Sequence, residues 1–101
     1  MAKKSAILRN NKVKSLVKKL EVKRTALSKI IGDLEEPFES RLMAMKKLSE
    51  LPRNGSKVRI RKRCEIDGRP RGFIGYFGMS RINFRHYANW GRIPGVKKSS
   101  W

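Results

Sequence analysis

The sequence predicts a mainly α-helical protein with little β structure, in which a basic N-terminal helical arm is joined by an extended segment to a small C-terminal subdomain. Three observations support this prediction. Apolar residues recur at helical spacing in the first half, glycines and arginines crowd the second half, and 26 Lys or Arg stand against 8 Asp or Glu in 101 residues, a net charge of +18. A chain of this length forms one domain at most. We divide it into residues 1–51, an arm of two helices, and residues 52–101, an arginine-rich linker with the C-terminal subdomain.

The first helix is predicted over residues 5–31, with Gly32 ending it. Its apolar positions keep one helical phase across two breaks, and lysines occupy the opposite faces. These apolar positions are Val13, Leu16, Val17, Leu20, Leu27, Ile30, Ile31 and Leu34.

A second helix is predicted from Pro37, a favourable first helical residue, to Leu51, where Pro52 stops it. The two helices can pack as a hairpin. Because both apolar stripes are narrow, a plain helix pair is favoured over a membrane-active or calmodulin-type helix. The inward face of the second helix is expected to consist of Phe38, Leu42, Met45 and Leu48.

The segment of residues 52–63 combines a turn signal at Asn54-Gly55 with five basic residues among the seven positions 57–63. Its few apolar residues cannot form a core, so we expect it to be disordered in the free protein. Such a density of positive charge is typical of a chain that lies extended along phosphates, with a solvated linker as the alternative.

The last segment has a turn at Gly68-Arg69-Pro70 and a short apolar stretch from Phe73 to Phe77. A final helix is predicted to start at Ser80, a suitable N-cap, and to end near Gly91, a suitable C-terminal cap. The apolar residues that share one face of this helix are Phe84, Tyr87 and Ala88.

The stretch from Cys64 to Asn83 has the spacing of a four-cysteine zinc site, C-x₂-C-x₁₂-C-x₂-C, with the first cysteine alone present. Asp67, Ser80 and Asn83 occupy the other three positions. One thiolate, one carboxylate and two neutral oxygen groups are a poor donor set for zinc, so we predict a zinc-knuckle-like subdomain with no metal and no other cofactor. We expect Ser80 to cap its helix and Asp67 or Asn83 to bond to turn amides. The rings expected to pack in place of a metal are Phe73, Phe77 and Phe84.

The charge pattern indicates nucleic acid as the partner, because so much like charge in a small body repels itself unless a polyanion neutralises it. Residues 1–51 hold ten Lys and three Arg against six acids, whereas residues 52–101 hold nine Arg and four Lys against two acids. Seven of the eight aromatic residues also fall in the second half. Arginine grips phosphate bidentately and stacks on bases, so this mixture favours RNA. Most single rings are expected to be core, with Trp101 as the main exception.

Other classes are less well supported by the sequence. It contains no apolar run of the roughly 18 residues that a bilayer span needs, and the N-terminus MAKKSAILRNNK lacks a signal-peptide core. Neither a nucleophile and base pair nor a phosphate-binding loop is apparent, so we predict that the protein is not an enzyme. A small DNA-binding or chromatin-type protein is the main alternative, but its arginines should lie along one groove-sized helix. A membrane-active basic peptide is a third alternative.

The second half closely resembles a known family. PRNGSKVRIRKRCEIDGRPRGFIGYFGMSRINFR, followed by GRIPGVKKSSW, is similar to the C-terminal half of the universal small-subunit ribosomal protein fourteen family. The start MAKKS and the lysine-rich arm resemble its longer bacterial and organellar form. The resemblance covers essentially the whole chain and is most specific in RCEIDGRPRG, FGMSRINFR and IPGVKKSSW.

The resemblance implies a structural protein in the head of the small ribosomal subunit, near the decoding region. It implies contact with ribosomal RNA and neighbouring head proteins, in a bacterial cytoplasm or an organelle matrix, with no membrane and no small-molecule substrate as partner. The family also has a shorter four-cysteine form that binds zinc. Cys64 matches the first ligand of that form, and Asp67, Ser80 and Asn83 replace the other three, so the chain resembles the zinc-free long form.

Charge and resemblance together predict the RNA-contacting residues. We also expect the amides that open the last helix to hold one phosphate. In the arm the predicted contacts are Lys3, Lys4, Arg9 and Lys12. In the second half they are Arg53, Arg59, Arg61, Lys62, Arg63, Arg69, Arg71, Arg81, Arg85, Arg92, Lys97, Lys98 and Trp101.

Overall fold

The computed structural model describes residues 2–99, which form three α-helices, two short 3₁₀ turns and one two-stranded sheet. In chain order these are α1 (Lys4–Gly32), α2 (Phe38–Glu50), the 3₁₀ turns Arg53–Gly55 and Lys57–Arg59, β1 (Phe73–Ile74), β2 (Met79–Ser80) and α3 (Arg81–Asn89). The predicted mainly α fold with little β structure is confirmed. In this part of the chain, no helix combines the length and the apolar character needed to cross a membrane.

The described chain forms two compact units. One contains residues 2–7 and 61–99, and the other contains residues 8–60. We call them the C-terminal unit and the helical unit. The first turn of α1 belongs to the C-terminal unit, and the rest of this helix belongs to the helical unit.

Within the helical unit, α1 is amphipathic as predicted. Val17 is buried and Leu16 and Leu20 are half-buried, whereas the lysines of the helix are exposed. Two predicted inward positions are wrong: Ile30 is 37% exposed, and Leu34 follows the end of the helix and is 85% exposed. Leu34 lies beyond Gly32, so the helical phase no longer directs its side chain.

The inward face of α2 also differs from the predicted one. Ala44 is buried and Leu48 is half-buried, as predicted for Leu48, but Phe38, Leu42 and Met45 are 71%, 48% and 53% exposed. The buried side of α2 is therefore rotated about the helix axis by roughly a quarter of a turn from the predicted inward face.

A hydrogen bond between the two helices lies on the buried side of α2. The Arg41 Nε donates to the Ile31 carbonyl at 3.1 Å, which satisfies one of the carbonyls left free at the end of α1. This contact brings the side of α2 that bears Arg41, Ala44 and Leu48 towards α1. Pro37 is extended, with ψ 143°, so it precedes α2 instead of forming its first helical residue.

The segment of residues 52–63 is less extended than predicted. The Gly55 amide donates to the Pro52 carbonyl and the Arg59 amide to the Ser56 carbonyl, closing the two 3₁₀ turns. Gly55 is buried, and a Cβ atom there would lie 2.5 Å from the Leu20 Cδ1. Packing against α1 therefore holds the first part of the segment in turns.

In the C-terminal unit, β1 and β2 pair antiparallel, with Phe73 opposite Ser80. Both predicted ends of α3 are confirmed. The Ser80 Oγ accepts the Asn83 amide at the N-terminus. At the C-terminus Gly91 has φ +68°, and its amide and that of Arg92 donate to the Ala88 and Tyr87 carbonyls, a Schellman motif.

Gly68 provides a test of packing in the C-terminal unit. It has φ +74°, and a Cβ atom there would lie 2.5 Å from the Ile7 Cδ1 and 2.8 Å from its Cγ1. Gly95 has φ +76°, and a Cβ atom there would have nothing within 4 Å. Gly95→Ala therefore measures the cost of the backbone conformation alone. We expect Gly68→Ala to lower the free energy of unfolding by about 1–3 kcal/mol beyond the loss in Gly95→Ala, because the added methyl group overpacks the site. Urea unfolding followed by circular dichroism measures both, and equal losses would contradict the packing of Ile7 on Gly68.

Candidate nucleic-acid interface

Four residues of the C-terminal unit, Cys64, Asp67, Ser80 and Asn83, form one hydrogen-bonded group, which we call the Cys64 cluster. The Asn83 Nδ2 donates to the Cys64 Sγ at 3.3 Å, and the Asn83 amide donates to the Ser80 Oγ at 3.4 Å. The Asp67 Oδ1 accepts the Arg69 amide at 3.1 Å. The positions with the spacing of zinc ligands therefore meet, and hydrogen bonds join them.

Backbone hydrogen bonds fix the turn that carries this cluster. The Cys64 amide donates to the Arg69 carbonyl at 3.0 Å, and the Gly68 amide donates to the Cys64 carbonyl at 2.9 Å. The Glu65 amide donates to the Gly78 carbonyl at 3.2 Å, which attaches the turn to the β1–β2 hairpin. The cluster thus connects the turn, the hairpin and α3.

The Cys64 cluster lowers the pKa of both its acidic groups. Burial raises the pKa of the Cys64 thiol, but backbone hydrogen bonds from Asp67, Ser80 and Ile66 and the Asn83 side chain together outweigh it, so the pKa falls below its ordinary value. The Arg69 amide, followed by the Cys64 thiol, lowers the pKa of Asp67. The cluster therefore favours the charged form of each group.

The donors of the cluster do not fit a structural zinc site. The Ser80 Oγ already accepts an amide, and Asn83 presents its amide nitrogen to the sulfur. Among the described residues no three His, Cys, Asp or Glu side chains are grouped so that they could hold a metal ion. A tight zinc site needs about four thiolate, imidazole or carboxylate ligands.

Aromatic packing supports the same region. The Phe77 and Phe84 rings lie 4.8 Å apart, as predicted, and Tyr76 contacts Phe77 edge to face at 4.9 Å. Phe73 is half-buried and is positioned by its pairing with Ser80. The rings therefore join the hairpin to α3.

The predicted RNA-contacting residues are mostly exposed. Arg63 and Arg69 are half-buried, and Trp101 lies outside the described residues. Arg9, Lys12, Arg53 and Arg59 belong to the helical unit, and the other described ones belong to the C-terminal unit. The exposed residues are Lys3, Lys4, Arg9, Lys12, Arg53, Arg59, Arg61, Lys62, Arg71, Arg81, Arg85, Arg92, Lys97 and Lys98.

Several of these arginines are held in place by the fold. The Arg63 Nη1 donates to the Gly68 carbonyl at 3.1 Å, so this side chain supports the turn. The Arg61 Nη2 donates to the Pro70 carbonyl at 3.2 Å, and the Arg59 Nη1 donates to the Asn54 Oδ1 at 2.7 Å. Such bonds use part of each guanidinium and fix its orientation.

Two open basic grooves lie on the C-terminal unit. The first, which we call the α3–tail groove, has a volume of about 460 Å³ and combines four cations with an apolar floor. It is lined by Arg81, Phe84, Arg85, Ala88, Val96, Lys97, Lys98 and Ser99. The second, the β1 groove, measures about 520 Å³ and is lined by Arg61, Lys62, Pro70, Arg71, Gly72 and Phe73. Each groove could hold a phosphate on its cations and a base on its apolar surface.

The amides that open α3 are used differently from the prediction. The Arg81 amide donates to the Gly72 carbonyl at 2.7 Å, and the Asn83 amide donates to Ser80. The predicted phosphate site on these amides is wrong for these two, because bonds within the unit already occupy them. The Arg81 side chain instead lines the α3–tail groove.

The end of α3 carries an aromatic surface that was not predicted from the sequence. Trp90 is 61% exposed and stacks on His86 with 5.8 Å between ring centroids. The Arg92 guanidinium lies 5.3 Å from the centre of the Trp90 ring and 5.8 Å from that of Tyr87. Helical spacing could have revealed this surface, since Trp90 follows Tyr87 by three residues and His86 by four, the spacings at which side chains meet.

Comparison with known proteins gives concordant matches. The model of the family described as ribosomal protein S14p/S29e matches residues 47–100. Relatives called small ribosomal subunit protein uS14, from Phenylobacterium zucineum, Caulobacter vibrioides and Brucella ovis, are each 52% identical over 101 residues. Each alignment covers 100% of this chain and 100% of the relative.

The lowered pKa of Asp67 predicts an acid-dependent loss of stability. A lowered folded-state pKa adds stability above the unfolded value, about pH 4, and this contribution is lost as the pH falls through the folded pKa. We expect Asp67→Asn to be less stable at pH 7 and to lose less stability on acidification than the unsubstituted protein. Glu21→Gln is the control, because it removes the same charge from an exposed position on α1. Thermal unfolding at several pH values measures this, and parallel curves for Asp67→Asn and the unsubstituted protein would contradict the role of Asp67.

The geometry of the Cys64 cluster predicts that zinc binding can be restored. We expect the unsubstituted protein to retain no zinc after exposure and dialysis, and a variant with Asp67→Cys, Ser80→Cys and Asn83→Cys to retain one ion per chain and to gain stability with it. The same variant with Cys64→Ser added is the control and should bind more weakly. Elemental analysis gives the stoichiometry. Retention of one ion by the unsubstituted protein would contradict the metal-free interpretation of the Cys64 cluster. Retention of none by the triple variant would show that the four positions are not equivalent to zinc ligands.

Proposed function

The chain belongs to the ribosomal protein S14p/S29e family, and we propose that it holds ribosomal RNA in the head of the small ribosomal subunit and orders the region around the decoding site. It is a structural constituent of the small ribosomal subunit and not an enzyme. Its partners are ribosomal RNA and neighbouring proteins of the head.

The observation that carries this proposal is the pair of basic grooves on the C-terminal unit. Arg81, Arg85, Lys97 and Lys98 surround the apolar floor of the α3–tail groove, and Arg61, Lys62 and Arg71 line the β1 groove. Irregular RNA offers phosphates and unpaired bases together, and such grooves can contact both. Duplex DNA would instead require a helix or ribbon that fits its major groove.

The Cys64 cluster supports a second part of the proposal. We infer that this region is a zinc-knuckle equivalent in which hydrogen bonds and ring packing take the place of the metal. The Asn83–Cys64 bond and the Phe77–Phe84 contact join the same turn, hairpin and helix that a bound ion would join. A fixed knuckle holds the two grooves in a constant shape, so less ordering entropy is lost on RNA binding.

The two halves of the chain have different roles in this proposal. Residues 52–101 supply the RNA-binding subdomain with its arginine-rich linker, and residues 1–51 form a basic arm that lies along RNA and contacts protein neighbours. Exposed lysines along α1 suit unspecific neutralisation of phosphate, because Lys is a flexible point charge. The more precise contacts belong to the arginines of the second half.

The phosphate contacts predict a steep salt dependence of RNA affinity. If about six to ten phosphates are neutralised, affinity for small-subunit ribosomal RNA should fall roughly a thousandfold or more between about 50 and 200 mM salt. The double variant Arg81→Ala, Arg85→Ala should bind more weakly and reduce the salt slope by about two. Lys46→Ala, Lys47→Ala, which removes two exposed cations from α2, is the matched control and should retain the original slope.

Filter binding at several salt concentrations measures these slopes, with duplex DNA as competitor. A flat response in the unsubstituted protein would contradict binding through phosphates. Equal slopes in the two double variants would remove the α3–tail groove from the interface. Preference for duplex DNA over ribosomal RNA would favour the DNA-binding alternative.

A further inference from the structure

One stretch of the chain carries charge of the opposite sign to the rest. Residues 33–50 hold five acids and three bases, whereas the remainder of the chain holds 23 bases and three acids. Four of the five acids lie at the start of this stretch. They are Asp33, Glu35, Glu36 and Glu39, and all of them are exposed.

The same stretch presents an apolar stripe to solvent. Phe38, Leu42 and Met45 are spaced four and three residues apart, so they share one side of α2. Each is about half or more exposed, and Leu34, just before the helix, is exposed as well. The buried side of α2, with Ala44, lies about a quarter turn away and is already used for packing within the helical unit.

RNA is a poor occupant for this acidic apolar stripe. The carboxylates would repel phosphates at close range. Arg41, the cation nearest to the start of α2, donates its Nε to Ile31 and so is partly occupied. The aliphatic side chains of Leu42 and Met45 also lack a flat face on which a base could stack.

A protein of opposite charge fits the stripe better. Apolar anchors of the Phe and Met type, surrounded by a charged rim, are typical of the centre and edge of a protein interface. The acids would steer a positively charged partner towards the stripe and discriminate against acidic proteins. A second copy of this chain, at +18, would bring mutual repulsion into the contact.

We propose that the acidic apolar stripe of α2 docks a basic segment of a neighbouring protein in the same particle, whose apolar side chains cover Phe38, Leu42 and Met45. This proposal rests on the proposed function, since it places the protein inside a ribonucleoprotein particle. The protein then has surfaces of two kinds. The grooves of the C-terminal unit bind RNA, and the stripe binds a basic protein.

The direct test is a photo-reactive amino acid at position 42 of the full-length chain. Small subunits that have incorporated this variant in cells are purified and irradiated, and the adduct is identified by mass spectrometry. We expect a cross-link to a peptide of another ribosomal protein with net positive charge. Val22, which is 79% exposed on α1, is the matched control position and should not give that cross-link.

Each alternative occupant gives a different adduct. Cross-linking of position 42 to ribosomal RNA, to a second copy or to the chain itself would overturn the proposal. So would the absence of an adduct in purified subunits, or an equal yield of the same adduct from position 22. Leu42 is exposed, so the substitution is expected to leave the fold of the helical unit intact.

Charge reversal gives an independent measurement. The variant Glu35→Lys, Glu36→Lys, Glu39→Lys competes with the unsubstituted chain for incorporation into small subunits, and we expect its share to fall at least severalfold. Glu21→Lys, a reversal on the exposed surface of α1, should compete normally. An unchanged share for the triple variant would overturn the proposal.

RNA affinity separates this proposal from the proposed function. Filter binding with small-subunit ribosomal RNA should show no loss for the triple charge-reversal variant, because its changes add positive charge. Loss of subunit incorporation with full RNA affinity is therefore the expected pair of results. If the unsubstituted chain itself failed to bind RNA, the proposed function would fail, while the cross-link would still report on the stripe.

Discussion

The hydrogen bonds of Ser80 are the contacts on which the C-terminal unit depends most. Ser80 has no exposed surface, pairs with Phe73 across the hairpin and accepts the Asn83 amide at the start of α3. Its backbone also contributes a hydrogen bond to the Cys64 sulfur. A buried polar group without its partners costs about 1–3 kcal/mol, so these contacts are strongly coupled. Because the hairpin and α3 carry the basic grooves, the shape of the proposed RNA-binding surface follows from one buried serine and its neighbours.

The sequence predicted features that depend on adjacent residues better than features that depend on distant ones. The caps of α3 at Ser80 and Gly91 are local, since each is formed by atoms within a few residues, and both were predicted correctly. The inward face of α2 was predicted wrongly, because periodicity reveals an apolar stripe without showing which molecule covers it. The bond from Arg41 to Ile31 lies on the buried side of α2, and no local pattern predicts a contact between residues ten positions apart.

The same limit applies to the candidate site. Composition was sufficient to predict that the cations are accessible, and nearly all of those proposed to contact RNA are exposed. It could not show that Arg63 supports the turn through Gly68, or that Trp90 and Arg92 stack at the end of α3. Such roles depend on which backbone carbonyls and rings the fold brings within reach. Cationic side chains that are oriented before binding lose less entropy when they meet phosphate, so in the proposed interface these supporting contacts would contribute to affinity indirectly.

The small number of buried residues has a consequence for the life of the protein in the cell. Five of the seven buried positions across residues 2–99 are glycine, alanine, serine or cysteine, which bury little apolar surface. The seven positions are Asn10, Val17, Ala44, Gly55, Cys64, Gly68 and Ser80. So little buried apolar surface gives a small free energy of unfolding. The chain therefore opens transiently, and opened chains are cleaved by proteases. Any partner that binds the closed form alone stabilises it by mass action. Copies made in excess of their ribosomal RNA are therefore expected to be degraded, and turnover alone would match the amount of this protein to the number of particles being assembled.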